Sequence, residues 1–291
     1  MQKAIQRNGP SKPVHFYCSS GGNAGLGCAT AAVSLEQPAT IVVPLTTSKL
    51  MIEKIEMLGV QVVQIGAHWL EADKYLREEL LAKDANGIYV PPFDHEDIWE
   101  GNGTLIDELE QQMLDKNGYD AVICSVGGGG LFCGIMDGLD RHERLEGGRG
   151  KSVTVLAMET DGADSLSQSL KKGELVKLPA ITSIASSLGA ALVAKKTFDW
   201  AQRSEVISLV LSDAEAAMAC VRFADDQRVL VETACGVSIA PAYNSILPKL
   251  LFPNLSPSEF AMKNVVIVVC GGSGITLSIL DSYREKYGSA P

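Results

Sequence analysis

Four consecutive glycines form the strongest chemical signal in this sequence. Residues 125–131, S-V-G-G-G-G-L, here called the glycine loop, lie directly after an apolar run and before a helical stretch. Because glycines leave the backbone bare, several N–H groups can converge on an anion while the helix adds the positive end of its dipole. The pattern indicates a phosphate cup, with a tight strand-to-helix turn as the alternative. It is not a P-loop, which requires a following Lys and Ser or Thr.

Two further loops also follow apolar runs. Residues 19–25, S-S-G-G-N-A-G, the asparagine loop, offer hydroxyls, an amide and N–H groups that suit a carboxylate or, for Asn23, a phenolic oxygen. A simple Ser/Asn helix cap is the alternative. Residues 270–274, C-G-G-S-G, the cysteine loop, form either a third binding loop or a plain turn in which Cys270 is a buried small hydrophobe. Since ligands of open α/β sheets bind at the carboxyl ends of strands, the coincidence of these loops predicts one shared ligand.

The elements that position these loops alternate between strands and helices. Short runs that are apolar along their whole length predict parallel strands covered on both faces, at 14–18, 39–43, 61–65, 121–126, 152–158 and 265–270. Helical periodicity is clearest over 24–35, 48–58, 71–83, 104–114, 213–224 and 275–287. Ser48 and Asp213 are the predicted N-caps. A Pro- and Asp-rich segment at 91–97 predicts a crossing between two lobes.

Composition excludes several classes of function. The chain has 291 residues, 46% of them hydrophobic, and a formal charge of −10, which argues against sequence-independent binding of nucleic acid. Its seven cysteines form no C-x-x-C pair and its four histidines no H-E-x-x-H, so neither a zinc site nor a disulfide framework is expected. No apolar stretch approaches the roughly 18 residues that span a bilayer, and the start lacks the apolar segment of a signal peptide. A cytoplasmic protein without a membrane or nucleic-acid partner is therefore predicted.

Five motifs occur together in the order and spacing of one known family. They are S-S-G-G-N-A-G, S-V-G-G-G-G-L, M-E-T-D-G-A-D-S, I-T-S-I-A-S-S-L-G and V-V-C-G-G-S-G, and the likeness extends from about residue 13 to residue 287. The chain thus resembles the catabolic L-serine/L-threonine dehydratases, or serine ammonia-lyases, of the fold type II pyridoxal-phosphate enzymes. The resemblance implies a tryptophan-synthase-β-like α/β fold of two open twisted parallel-sheet domains with the cofactor in the cleft between them. The small domain would comprise residues 19–93, and the large cofactor-binding domain, incomplete at its N-terminus, residues 1–18 and 94–291.

The resemblance also assigns roles to individual residues. The phosphate of pyridoxal 5′-phosphate would be held by main-chain N–H groups of Gly127, Gly128, Gly129, Gly130 and Leu131. The substrate carboxylate would lie among Ser20, Gly21, Asn23 and Ala24, and Asn23 would also face the 3-hydroxyl of the cofactor. Cys270 would lie against the pyridine nitrogen, with Gly271 also at the cofactor. A monovalent cation such as potassium would be bound at Gly127, Glu159, Ala163, Ser165, Leu188 and Ala190. For Glu159, a purely structural partner is the alternative.

The lysine that forms a Schiff base with the cofactor in this family has no counterpart here. The family places it in an S-x-K-x-R-G segment upstream of the asparagine loop, whereas Lys3 and Lys12 stand in other contexts. No catalytic residue is therefore assigned, and residues 1–8 are interpreted as the end of the lysine-bearing helix. The expectation is that several dozen N-terminal residues of the family are absent. The chain as given would then react poorly or not at all, because loss of a general base alone typically costs ~10²- to 10⁴-fold.

The activity implied by the resemblance is a pyridoxal-phosphate-dependent β-elimination. It converts L-serine to pyruvate, or L-threonine to 2-oxobutyrate, with release of ammonia. Cys270 favours the catabolic dehydratases, because serine racemases and biosynthetic threonine deaminases of this fold typically have Ser there. A serine racemase and a non-catalytic protein that binds pyridoxal phosphate or an amino acid remain the alternatives. Relatives are commonly homodimers, so a homodimer acting on a small amino acid is expected.

Overall fold

Two parallel sheets organise the chain. The computed structural model describes residues 1–9, 12–116 and 118–288. The chain divides into two compact units, Met1–Asp97 and Ile98–Pro291. Each unit contains one four-stranded sheet, and the strand pairs of both sheets are parallel. The predicted α/β class with two open parallel sheets is thereby confirmed.

The first unit builds its sheet around two buried strands. Its strands are β1 (His15–Cys18), β2 (Ala39–Val43), β3 (Gln61–Gln64) and β4 (Gly87–Tyr89), in the order β3-β2-β1-β4. Its helices are α1 (Gln2–Asn8), α2 (Asn23–Ser34), α3 (Lys49–Glu56) and α4 (Trp69–Tyr75), the last continued by a π-helical turn and a 3₁₀ turn to Lys83. Phe16 and Ile41 on the central strands are fully buried, so apolar contacts on the sheet faces stabilise this unit.

The second unit repeats this arrangement on a larger scale. Its strands are β5 (Ala121–Ser125), β6 (Thr154–Thr160), β7 (Val206–Leu211) and β8 (Val265–Ile267), in the order β7-β6-β5-β8. Its helices are α5 (Glu96–Gln112), which begins at the boundary of the units, α6 (Gly130–Arg141), α7 (Ser165–Lys172), α8 (Lys195–Ala201), α9 (Asp213–Gln227), α10 (Thr233–Tyr243), α11 (Leu247–Leu251), α12 (Pro257–Phe260) and α13 (Leu277–Tyr287). Successive residues of β5 alternate between two apolar clusters, Ile123 in one and Val122 in the other. Both faces of this sheet are therefore covered, as its apolar runs predict.

The six predicted strands are confirmed, but β4 and β7 were not predicted. β4 has only three residues, and β7 contains the polar Ser208 and lies half-buried at the edge of its sheet. Ser48 caps α3 as predicted, accepting from the N–H of Met51. The predicted N-cap at Asp213 is wrong. Ser212 caps α9 in a reciprocal pair with Glu215, while the Asp213 carboxylate accepts from Ser183 Oγ and Ile184 N.

The division into units differs from the predicted domain boundaries in the placement of residues 1–18. Strand β1 hydrogen-bonds to β2 on one side and to β4 on the other, so it lies inside the first sheet. The boundary between Asp97 and Ile98 falls at the end of the predicted crossing segment. In the part of the chain that the structure describes, no helix has the length and apolar character needed to cross a bilayer. All seven cysteines are free thiols.

Candidate functional site

The glycine loop lies at the carboxyl end of the buried strand β5 and leads directly into α6. Among the described residues, no protein acceptor is found for the main-chain N–H groups of residues 127–131. Gly129 has a φ of +97°, and a Cβ atom there would lie 1.9 Å from Oγ1 of Thr197. Only glycine fits, because a side chain would be both strained and overlapped. The loop therefore presents N–H donors at the start of a helix, as expected of an anion site.

Buried side chains fix the glycine loop from the protein side. The Gly128 carbonyl accepts from the N–H of Ala194 at 3.0 Å and from Oγ1 of Thr197 at 3.2 Å. Thr197 also lies 3.2 Å from Sγ of Cys133, and both side chains are fully buried. Because the peptide is trans, the Gly129 N–H points opposite to the Gly128 carbonyl and away from Thr197. Thr197 and Cys133 were not predicted from the sequence, since neither lies in a motif that marks a binding loop.

The cysteine loop follows β8 and lies beside the end of β5. Sγ of Cys270 is 3.7 Å from Oγ of Ser125. Cys270 is exposed, whereas the other six cysteines are buried, so its interpretation as a buried small hydrophobe is wrong. A hydrogen bond from the buried Cys235 thiol lowers the pKa of Cys270 to about 7. Desolvation and the charge of Glu232 act in the opposite direction, and Ser125 assists the lowering.

Glu159 has a structural partner, the alternative to its predicted role at a cation. Its side chain is fully buried, and its two carboxylate oxygens accept from the N–H groups of Leu166 and Ser167, each at 2.8 Å. Glu159 therefore caps the start of α7. Burial raises the pKa of Glu159 to about 8, although these two hydrogen bonds act to lower it. Ala163 lies between Glu159 and α7, in a single bridge with Thr160.

The other residues predicted for a cation contact one another within the second unit, where the Leu188 carbonyl accepts from the N–H of Ala190 at 2.7 Å. A Cβ at Gly127 would lie 3.1 Å from Cα of Leu188 and 3.4 Å from its carbonyl oxygen, so Leu188 packs across the glycine loop. Ser165 Oγ donates to the Ala190 carbonyl at 3.0 Å. Within residues 1–9, 12–116 and 118–288, no group of three or more His, Cys, Asp or Glu residues could hold a metal. A cation here would depend on main-chain carbonyls, and its presence stays a prediction.

The asparagine loop lies in the first unit, at the carboxyl end of β1 and the start of α2. Asn23 is the first residue of the helix, and the N-cap is Gly22 without a side-chain cap hydrogen bond. The alternative of a simple Ser/Asn cap is therefore wrong. Ser20 Oγ instead accepts from the N–H of Gly22 at 3.3 Å. Ser20, Asn23 and Ala24 are thus brought together at the N-terminus of a twelve-residue helix, which favours a bound carboxylate.

Close backbone contacts shape the asparagine loop. A Cβ at Gly25 would lie 1.9 Å from the carbonyl oxygen of Ser20, and one at Gly21 would lie 2.5 Å from the side chain of Thr47. Gly25 requires the absence of a side chain because the backbone carbonyl leaves no room, whereas a side chain at residue 21 would require Thr47 to move. The loop is therefore compact, and its turn brings the Ser20 carbonyl against the first turn of α2.

An indole ring holds the start of the asparagine loop. Nε1 of Trp69 donates to the Ser19 carbonyl at 2.7 Å. Trp69 begins α4 and is 42% exposed. The Ser19 hydroxyl is buried and has no hydrogen-bond partner among the described residues. Trp69 was not predicted from the sequence, because nothing local relates it to a loop that precedes it by 50 positions.

Comparison with known proteins gives a consistent set of relatives. A family model described as "Pyridoxal-phosphate dependent enzyme" matches residues 1–271. An L-serine dehydratase of Saccharomyces cerevisiae (strain AWRI1631) is 42% identical over 274 residues, covering 91% of this chain and 79% of the relative. The human L-serine dehydratase/L-threonine deaminase is 42% identical over 276 residues, covering 94% of this chain and 80% of the relative.

Solved structures agree with the sequence relatives. The crystal structure of a fungal L-serine ammonia-lyase from Rhizomucor miehei superposes with a TM-score of 0.85 at 35% identity, covering 98% of this chain and 85% of that one. Maize serine racemase, with a TM-score of 0.73 at 23% identity, shares the fold. Its likeness covers 93% of this chain and 76% of the racemase chain.

Proposed function

The chain belongs to the family of pyridoxal-phosphate dependent enzymes, and from this premise we propose that it acts in β-elimination of L-serine and L-threonine. The products are pyruvate or 2-oxobutyrate, with ammonia. The observation that supports this proposal most directly is the glycine loop, whose N–H groups are free of protein acceptors among the described residues and whose shape excludes a side chain at Gly129. The names of the relatives, L-serine dehydratase and serine ammonia-lyase, support the choice of reaction.

Residues of the second unit fit the cofactor. Gly127, Gly128, Gly129, Gly130 and Leu131 would hold the phosphate through their main-chain N–H groups. The positive end of the α6 dipole adds a favourable charge, equivalent to about +0.5 at the helix start. When bound, the cofactor supplies an electron sink for negative charge at the substrate Cα. Since the Thr197 and Ala194 bonds fix the Gly128 carbonyl, the loop needs little reorganisation to accept the phosphate.

Cys270 and Gly271 are the proposed partners of the pyridine ring. A thiol with a pKa of about 7 donates a hydrogen bond while it is neutral and accepts one while it is ionised. The neutral thiol leaves the ring nitrogen less strongly protonated than a carboxylate partner would. A β-elimination tolerates this arrangement, because the negative charge at Cα is short-lived when a leaving group departs from Cβ.

The asparagine loop is the proposed site for the substrate carboxylate. The Ser20 hydroxyl, the N–H groups at the start of α2 and the backbone at Gly21 and Ala24 orient the carboxylate. Asn23 keeps its predicted role at the cofactor 3-hydroxyl. Because the carboxylate is bound by fixed donors, the Cα–H bond is held in one orientation, which is the contribution that positioning makes to the rate.

One assay separates the candidate functions. The purified chain is titrated with pyridoxal phosphate by absorbance and then incubated with L-serine or L-threonine, while 2-oxo acid products and chiral serine are quantified. We expect saturable cofactor binding and pyruvate above the cofactor-only background. Accumulation of D-serine instead would identify a racemase, and binding without any product would identify a non-catalytic binder. Failure to bind the cofactor would exclude the proposal altogether.

Three further properties are proposed on the same basis. We propose a potassium ion at the carbonyls of residues 188 and 190, beside Gly127, and therefore expect higher activity in potassium than in sodium salts.

A cytoplasmic location is supported by seven free thiols, six of them buried, because thiols persist in reducing compartments. A homodimer is proposed by likeness to the family, and light scattering would test it.

A further inference from the structure

The Glu232 carboxylate joins two segments of the second unit. Oε1 accepts from the N–H of Gly274 and Oε2 from Oγ of Ser187, each at 2.5 Å. Glu232 is the N-cap residue of α10, yet its side chain makes no cap hydrogen bond to that helix. The carboxylate is therefore directed away from its own helix and toward the cysteine loop and the turn at 186–188.

The main chain strengthens the same junction. The N–H of Glu232 donates to the Gly271 carbonyl at 3.0 Å. Gly272 has a φ of +115°, and a Cβ there would lie 2.4 Å from the carboxyl carbon of Glu232. The cysteine loop thus lies directly on the Glu232 side chain, and glycine at 272 is required for this contact.

Both segments that Glu232 holds lie against the end of β5. The cysteine loop reaches it through Cys270, 3.7 Å from Ser125, and the 186–188 turn reaches it through Leu188, which packs across Gly127. A single carboxylate therefore links the two walls that flank the start of the glycine loop.

We propose that Glu232 is a positioning residue that holds the cysteine loop and the 186–188 turn in one arrangement, so that Cys270 is placed for the cofactor ring. This inference rests on the proposed function, because Cys270 matters for catalysis only if the ring binds there. Glu232 itself acts through Cys270 and Leu188 and is given no direct contact with the substrate.

The charge of Glu232 offers a second way to observe this arrangement. It raises the pKa of Cys270, opposing the stronger lowering by Cys235. The other groups whose charge or hydrogen bonds couple to Cys270 are Cys124 and Ser125 on β5 and Cys220 on α9. Because Cys270 is the exposed thiol of the seven, alkylation of the folded protein reports its ionisation without any cofactor.

Two variants separate the geometric from the electrostatic effect. E232Q removes the charge but can keep both hydrogen bonds, with the amide oxygen toward the Gly274 N–H and the amide NH₂ toward Ser187. E232A removes the charge and both bonds. E215A is the matched control, since Glu215 also joins two segments, accepting from Ser212 N and Asn244 Nδ2, each at 2.9 Å, but outside the proposed site.

Iodoacetamide alkylation from pH 5 to pH 9 is the first measurement, with the unliganded chain. We expect E232Q to react as if the pKa of Cys270 were lower than in the parent, because a neighbouring negative charge is gone, and therefore to react faster below pH 7. E215A should keep the parental profile. A parental profile for both E232Q and E232A would overturn the proposal.

Cofactor affinity is the second measurement, by absorbance titration with pyridoxal phosphate. We expect E232A to bind at least about tenfold more weakly, the factor for loss of one hydrogen bond to a charged group, and E232Q and E215A to stay within about threefold of the parent. If E232A does not fold by circular dichroism, S187A replaces it and removes one of the two anchors, with a weakening of about threefold to tenfold. Parental affinity in a folded E232A, or in S187A where it replaces E232A, overturns the proposal.

The two measurements distinguish failure of the proposed function from failure of the role proposed for Glu232. If the parent binds no cofactor, the proposed function fails, while the alkylation profiles still decide whether Glu232 controls Cys270. If the parent binds the cofactor but both profiles and affinities are unchanged in the variants, the proposed function stands and the role of Glu232 is refuted.

Discussion

The glycine loop and the asparagine loop occupy equivalent places in two sheets of the same topology. The orders β3-β2-β1-β4 and β7-β6-β5-β8 are the same pattern, and each loop follows the first strand of its set and precedes a helix. Both loops also contain a glycine whose Cβ would lie 1.9 Å from a neighbouring atom, Gly25 in one and Gly129 in the other. The two units thus build a glycine-containing strand-to-helix loop by the same rule.

The loops differ in what holds them. The glycine loop is fixed by the buried side chains of Thr197 and Cys133, whereas the asparagine loop is fixed by Trp69, which is 42% exposed. Buried contacts keep a loop in one conformation, and exposed contacts open more easily. We infer that the glycine loop suits a group that stays bound, the cofactor phosphate. The asparagine loop suits a group that must leave in each catalytic cycle, the substrate carboxylate.

The largest expected effect, and the first test of this difference between the loops, is that of G129A. Alanine would be strained at a φ of +97° and would overlap Thr197, so the free energy of unfolding should fall by about 2–5 kcal/mol in urea, with loss of cofactor binding. G173A is the control, because Gly173 has a φ of +75° but an empty surrounding. It should lose only about 1 kcal/mol, from strain, and bind cofactor normally. Equal losses in the two variants would show that the contact with Thr197 is unimportant.

The corresponding change in the other loop is G25A. Its Cβ would press on the Ser20 carbonyl, so we expect a loss of about 1–3 kcal/mol in the free energy of unfolding and weaker serine binding. Cofactor affinity should change less, because only Asn23 of this loop is proposed to contact the cofactor. G27A, in the same helix, has open space around its Cβ and should gain about 0.5–1 kcal/mol. The prediction is wrong if both changes have the same sign.

T197V removes the buried hydroxyl behind the glycine loop while keeping the shape of the side chain. The Gly128 carbonyl retains only the Ala194 N–H, so the free energy of unfolding should fall by about 1–2 kcal/mol and cofactor affinity by up to about tenfold. The matched control is T160V, which removes another fully buried hydroxyl, 2.8 Å from Ser183. It should lose similar stability without a change in cofactor affinity. A cofactor effect of equal size in both variants would mean that the loss is global.

The strands and the loops at their ends were predictable because both signals are local. A strand buried on both faces must be apolar along its length, and a loop whose backbone approaches an anion closely is typically rich in glycine, so β5 and the glycine loop are visible in a short stretch of sequence. Local signals were insufficient at the start of α9, where the predicted N-cap was Asp213 instead of Ser212. Both residue types are good caps, and only the reciprocal bond with Glu215 distinguishes them.

The residues that hold the loops were not predictable, because their partners are distant in sequence. Thr197 lies 69 positions from Gly128, and Glu232 lies 45 from Ser187. No periodicity or spacing relates such pairs, and a threonine or glutamate at a helix start is ordinary in itself. Placement of β1 beside β2 and β4 likewise depends on pairing, which an apolar run alone does not specify.

The smallest expected effect is that of W69F, which examines the exposed support of the asparagine loop. Phenylalanine keeps an aromatic ring but loses the N–H that donates to the Ser19 carbonyl. One neutral hydrogen bond at a half-exposed site is worth about 0.5–1.5 kcal/mol, so the Kd for serine should rise about threefold to tenfold while cofactor affinity changes less. W200F is the control, since it loses an indole N–H bond in the second unit, to the Asp137 carboxylate. If W69F weakened the cofactor and serine equally, the two loops would not be supported independently, and the distinction drawn between them would fail.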